Sequence, residues 1–118
     1  MLNSCILMGR TTTKPELKKA AQAENKEVVY TRFSLAVDRE FGDEETDFFN
    51  CVAFGNEAKF IDKYVEKGQQ IVICGRLKNS VWNNDSGRHV STEVVVEKIY
   101  FAGERKKDNS KHQEESFI

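Results

Sequence analysis

Apolar side chains fall on every second residue through much of this chain, and on every third or fourth in one stretch alone. That contrast decides the fold class: a period of two belongs to a pleated strand and a period near 3.6 to a helix. In VVYTRFSLAV (28–37), Thr31, Phe33, Leu35 and Val37 form one row, and Tyr30, Arg32, Ser34 and Ala36 the other. In DFFNCVAFG (47–55), Phe49, Cys51 and Ala53 oppose Phe48, Asn50, Val52 and Phe54. QQIVICGRLKN (69–79) sets Ile71, Ile73, Gly75 and Leu77 against Val72, Cys74, Arg76 and Lys78. LNSCILMG (2–9) is an apolar run ending at Gly9. STEVVVEKIYFAG (91–103) is β-branched and aromatic, too apolar for a half-wet strand, so both its faces are expected to be partly covered.

The one helical spacing is in NEAKFIDKYVEKG (56–68), where Ala58, Ile61, Tyr64 and Val65 share a face. Asn56 suits the N-cap, Glu57 the first turn, Lys67 the last, and Gly68 the stop. PELKKAAQA (15–23) reads as a short helical turn or as a loop led by the chain's sole proline. The order is strand, strand, strand, helix, strand, hairpin, strand, and it predicts an all-β chain. A five-stranded open barrel with one helix between strands 3 and 4, the order of an OB-fold, fits it, with the helix plugging one end. Gly55 and Gly75 sit where barrel corners need tight bends. From residue 104 onward, ERKKDNSKHQEESFI has no apolar periodicity before its last two residues, and reads as a disordered C-terminal tail.

Charge and cysteines exclude several classes of function. The net charge of −1 rules out a protein that is basic all over, so a polyanionic partner has to meet a local patch. Between Asp38 and Asp47 stand six acids and one base, Arg39. Cys5, Cys51 and Cys74 are odd in number, far apart and without a CxxC pair, and neither His89 nor His112 lies near one in sequence. They read as buried free thiols of a reducing cytoplasm, not as a disulfide framework or a zinc site. The acids at 43–47 lack the EF-hand spacing, so no metal is expected. There is no Walker loop, no nucleophile elbow and just one histidine outside the tail, so neither catalytic residues nor a cofactor is expected. The opening MLNSCILMG lacks the basic flank and long apolar run of a signal peptide, and no stretch is long enough to span a membrane.

The outward rows point to a use. If the smaller residues of 47–55 face the core, Phe48 and Phe54 face out. Phe41 lies on the acidic loop just before them. Trp82, the sole tryptophan, lies beside the polar turn NNDSG. Arg32, Arg76 and Lys78 fall on outward rows nearby. Interleaved aromatics and cations on a sheet surface suit single-stranded nucleic acid, whose bases offer flat faces and whose backbone offers a charge at each step. The alternative is that Phe48 and Phe54 are core under a loop and that Trp82 packs on the hairpin stem.

CILMGR (5–10), KPEL (14–17), FFNCVAFG (48–55), DKYVEKG (62–68), IVICGRL (71–77) and GRHVSTEVVV (87–96) are collinear, with a tryptophan between the last two. Over residues 2 to about 102 the chain resembles the bacterial single-stranded DNA-binding proteins. The resemblance implies an OB-fold single-stranded DNA-binding domain at 1–103 and a flexible tail at 104–118. It implies a homotetramer that winds single-stranded DNA over its surface in replication, recombination or repair, in the cytoplasm at the nucleoid. It further implies base stacking at Phe41, Phe48, Phe54 and Trp82, although the family usually has tryptophan at the first two. Candidate phosphate contacts are Arg10, Arg32, Arg76, Lys78 and Arg88. Lys14 stands where the family usually has Asp, and Val72 where an aromatic is often found. The family's tail ends in an acidic tip that recruits replication and repair proteins. Here Glu114, Glu115, Phe117 and Ile118 are its counterparts, without the usual proline. An RNA-binding or primosome-type OB module, and an OB domain that has kept the fold, lost the nucleic acid and binds protein, are the rival readings.

Overall fold

The computed structural model describes residues 1–21, 27–41 and 45–103. Six strands and one helix follow in order: β1 (Cys5–Thr11), β2 (Lys18–Ala21), β3 (Glu27–Asp38), β4 (Thr46–Phe54), α1 (Gly55–Tyr64), β5 (Gln70–Asn84) and β6 (Gly87–Phe101). Their order in the sheet is β1-β5-β6-β4-β3-β2, and β1 also pairs with β3 at Arg10↔Ala36 and Thr11↔Leu35. That last pairing closes a ring of β1, β5, β6, β4 and β3, which is the five-stranded OB barrel. The short β2 is an extra strand on the outer edge of β3. All ring pairings are antiparallel except β4 with β6, which meet in parallel at Cys51↔Val94 and Val52↔Val95.

The strand-period rows fill the barrel as read. Phe33, Leu35, Cys51, Ala53, Ile71, Ile73, Val94 and Val96 are buried, and Ala58, Ile61 and Val65 close the end from α1 and the residue after it. Each large aliphatic side chain fully buried here stabilises the fold by roughly 1.5–3 kcal/mol before entropy is counted. Glycine brings the backbones together where the ring closes. A Cβ on Gly75 would lie 2.1 Å from the Val95 carbonyl oxygen, and one on Gly9 would lie 2.3 Å from that of Ala36. At Gly75 the register also slips: Cys74 pairs with Lys98 but Gly75 with Val96, leaving Glu97 as the extra residue of a β-bulge.

Three expectations need correction. Residues 18–21 are a strand, not a helical turn or loop: they pair with β3 from Lys18↔Tyr30 to Ala21↔Glu27. Alanine and lysine favour helix weakly, but the edge of β3 offers backbone groups that must find partners. The preceding segment is pinned to the helix instead of forming one. Lys14 Nζ donates to the carbonyls of Asp62 (2.6 Å) and Val65 (2.9 Å), and the Leu17 N–H donates to Asp62 Oδ1 (3.1 Å).

The helix is shorter than the 56–68 expected, ending at Tyr64. Its N-cap is Phe54, with no side-chain cap bond, so Asn56 does not cap it. The chain passes from β4 straight into α1 because Gly55 takes φ 64°, a left-handed value that costs glycine nothing. After Tyr64 the backbone of Val65 is extended, with its N–H bonded to the Ile61 carbonyl (3.0 Å). Thr11 then binds the turn: its hydroxyl donates to the Glu66 carbonyl (2.7 Å), and its carbonyl accepts from the Gly68 N–H (2.9 Å).

The last two strands are longer than expected. β5 runs past residue 79 to Asn84, and β6 starts at Gly87, not at 91. They continue as a two-stranded ribbon beyond the barrel, exposed from Arg76 to Arg88, with Asp85 and Ser86 as the turn. Among the described residues no helix is long and apolar enough to cross a membrane.

Candidate nucleic-acid interface

The barrel core is complete without the residues of the outward rows. On β3 and β4 those rows pair across the strands: Tyr30↔Phe54, Arg32↔Val52, Ser34↔Asn50 and Ala36↔Phe48. On β5 and β6 they pair as Arg76↔Val95, Lys78↔Glu93, Ser80↔Ser91 and Trp82↔His89. In the sheet order β5-β6-β4-β3 these rows make one continuous outer face.

The four aromatics named from sequence are all exposed: Phe41 81%, Phe48 65%, Phe54 42% and Trp82 46%. Phe48 and Phe54 are therefore not core under a loop. Phe41 lies beyond the end of β3, where residues 42–44 fall outside the described chain. Trp82 is on a strand, not at the tip of the turn, and its ring lies nearly parallel to that of His89, 5.4 Å away and 23° between planes. Packing on the hairpin stem is thus half of the answer for Trp82, since the ring keeps a wet surface as well.

Sequence reasoning passed over one aromatic. Tyr30 lies beside Phe54, centroids 6.5 Å apart, with the Arg32 guanidinium 5.4 Å from its ring centre. The signal was present in the alternation, which puts Tyr30 on the row of Arg32. Val52 shares the row of Phe48 and Phe54 by parity, but it is covered where they are exposed. Val52 is 1% exposed and its parallel neighbour Val95 7%. Arg32 on β3 and Glu93 on β6 reach toward each other over the intervening β4 and meet at 3.0 Å, in the region of these two valines.

The basic candidates divide by position. Arg32, Arg76 and Lys78 share the aromatic face. Arg32 is held by Glu93, and Arg76 Nε stands 3.6 Å from Glu97 Oε2. Both guanidinium groups remain about half exposed or more, so an incoming phosphate can still reach donors that the carboxylates leave free. Arg88 pairs with Asn83 and falls on the opposite side of the ribbon from Trp82. Arg10, on β1, donates from Nη1 to the Gly68 carbonyl (3.2 Å).

The acidic loop is tied at its base. Arg39 grips Asp47 with two bonds (3.0 and 3.1 Å) and Glu45 with one (2.6 Å), while Thr46 donates to Asp38 (2.9 Å). The Arg39 bond holds the Asp47 carboxyl below the usual carboxylate range, and Asp47 in turn pushes the guanidinium up. Among the described residues no group of three His, Cys, Asp or Glu side chains is placed to hold a metal ion. Cys51 is buried, and Cys5 and Cys74 are half-buried free thiols. Glu114, Glu115, Phe117 and Ile118 lie outside the described residues.

A second exposed apolar surface lies round the barrel on β1, where Ile6 and Met8 project beside Cys74 and Val72 of β5, with Tyr100 of β6 beyond.

The sequence model of the single-strand binding protein family matches residues 2–102. The single-stranded DNA-binding protein of Clostridium perfringens (strain 13 / Type A) is 38% identical over 101 residues, 85% of this chain and 65% of that relative. The chain thus spans about two thirds of that protein's length. The single-stranded DNA-binding protein of Fusobacterium nucleatum subsp. nucleatum is 37% identical over 122 residues, covering 98% of this chain and 76% of its own. That of Staphylococcus aureus (strain MRSA252) is 38% identical over 119 residues, covering 97% and 73%. With the matched barrel and its aromatic outer face in view, the chain belongs to the single-strand binding protein family.

Proposed function

We propose that this protein binds and protects single-stranded DNA without sequence selection, as a carrier of strands in replication, recombination or repair, and catalyses no reaction. The observation that carries the reading is the exposure of Phe48, Phe54 and Trp82 on one outer face, with Arg32, Arg76 and Lys78 among them. Unpaired bases stack on the rings, and phosphates meet the cations. A duplex keeps its bases stacked on each other and offers the rings nothing. Phe41 extends the row from the acidic loop, and Arg10 and Arg88 serve a strand that continues around the barrel and the ribbon.

Residues 1–103 act as the binding domain and 104–118 as a tail, whose tip (Glu114, Glu115, Phe117, Ile118) recruits replication and repair enzymes in the cytoplasm. Exposed Leu2, Ile6 and Met8 support assembly into a homotetramer, since an apolar strand face is covered in a stable protein.

The test is a salt titration of labelled oligo(dT), the matching RNA strand and a duplex. Oligo(dT) is expected to bind far more tightly than duplex, with affinity falling as salt rises, by a slope of about 0.7 per phosphate contact. Trp82→Ala is expected to weaken binding by roughly 1–3 kcal/mol. Equal binding of duplex and single strand rules the proposal out, and tighter binding of RNA reassigns the substrate.

A further inference from the structure

Trp82 does not stand alone on the ribbon. His89, its cross-strand partner, covers one side of the indole in a near-parallel stack, while Trp82 stays 46% exposed. The imidazole is itself held: His89 Nε2 lies 2.9 Å from Asn84 Oδ1. The same oxygen accepts the Ser86 backbone N–H at 2.8 Å, at the turn that joins the strands. An amide oxygen can only accept, so the nitrogen that faces it must carry a hydrogen. This assigns the proton of neutral His89 to Nε2 and leaves Nδ1 as the site that gains one. The ring can therefore take up charge without giving up its tether.

Resting on the base-stacking role proposed for Trp82, we infer that His89, tethered by Asn84, is a positioning residue for that stack and makes DNA affinity depend on pH. Neutral His89 backs the indole and fixes its plane, so that a base adds to a platform already ordered. Charged His89 becomes a cation beside the ring that a base covers, 5.4 Å between ring centres, within the reach of the phosphates. Histidine is the side chain whose ordinary titration falls between about pH 5 and 8. By register, the charged groups around His89 are few. Asp85 is in the turn, Arg88 is on the opposite side of the ribbon, and Lys78 and Glu93 are further down the same face. Asn84 and Trp82 on β5 are uncharged.

The experiment uses the full chain, with wild type, His89→Phe and His89→Ala compared by thermal melt and then at pH 8 and pH 5.5. Trp82 emission is followed in free protein, and anisotropy of labelled oligo(dT) gives the affinity. As the sole tryptophan, Trp82 reports without interference. In the wild type, emission of the free protein changes on acidification, and affinity rises about two- to fivefold, the scale of one exposed cation–π or ion-pair contact. His89→Phe keeps a flat backing ring, so it matches wild type at pH 8 but loses both pH responses. His89→Ala is flat with pH and binds about two- to fivefold more weakly at pH 8. Since every protein compared carries His112, a response of the tail appears equally in all three.

Identical affinities and identical pH profiles in the three proteins overturn this inference while leaving the stacking of bases on Trp82 intact, provided oligo(dT) still quenches its emission. If oligo(dT) binds with no change in that emission, the stacking role of Trp82 falls, and His89's role falls with it.

Discussion

Thr31 puts a hydroxyl into the barrel wall where its Oγ1 has no hydrogen-bond partner among the described residues, although the residue is fully buried. A buried polar group left unpaired costs more than a methyl of the same shape. Thr31→Val is therefore expected to raise stability by about 1 kcal/mol, read from the midpoint of a urea melt, with the strand pairing unchanged. Two glycines separate the two reasons for having glycine. Gly75→Ala drives a Cβ to 2.1 Å from the Val95 carbonyl oxygen, and the parting of β5 from β6 is expected to cost at least about 3 kcal/mol. Gly55→Ala meets nothing within 4 Å and costs about 1–2 kcal/mol, for its left-handed φ alone. Cys51 supplies a pH prediction. Burial pushes its thiol up to about 12 from an ordinary 9.0. Below pH 9 the folded and unfolded chains both keep that proton, and stability owes nothing to pH through it. Above pH 9 the unfolded chain releases the proton first, so folding stability falls with rising pH until about 12. Urea melts between pH 8 and 11 check the slope, and Cys51→Ala is expected to remove this contribution to it.

At the scale of elements, Lys14 ties a loop to a helix end. Its ammonium satisfies two carbonyls at the C-terminal end of α1, where helices leave acceptors unpaired and where positive charge is favoured. An Asp at this position, the residue usual in the family, cannot donate to carbonyls at all. Lys14→Met keeps most of the stem and is expected to lose about 1–2 kcal/mol, with faster amide exchange at Tyr64 and Val65. Legibility in the sequence follows period and partner. The inner rows of β3, β4 and β5 were readable because one wet and one dry face make clean alternation. Phe48 and Phe54 followed by parity from Cys51 and Ala53. The ribbon beyond Asn79 was not readable as strand, since both its faces are wet and a period of two has nothing to mark. β2 is made of lysine and alanine, and only the open edge of β3 makes it a strand. The burial of Val52 was not readable because its neighbour Val95 comes from a strand far away in sequence. His89 opposite Trp82 needed the two-residue turn that sets the register.

The whole molecule presents two faces with different chemistry. One bears aromatics and cations, and the other bears the aliphatic side chains of β1. Assembly through β1 predicts that Ile6→Asp with Met8→Asp lowers the sedimentation coefficient to that of a single chain, while the barrel keeps its far-ultraviolet spectrum. A wild-type protein already monomeric at micromolar concentration rules out the tetramer. The parallel meeting of β4 and β6 also carries a message about time. β6 is the last strand among the described residues, yet it stands between β5 and β4 and joins the two ends of the arc β5-β1-β3-β4. Until residues near Val94–Val96 have been synthesised, β4 and β5, the two ends of that arc, each carry a bare edge with no neighbour to take it. Folding thus waits on a contact between distant residues, the kind that slows barrel formation and leaves strand edges open to other chains. A ribosome stalled before that point is expected to display a sticky, protease-sensitive half-barrel, and chaperone demand should drop sharply once β6 emerges.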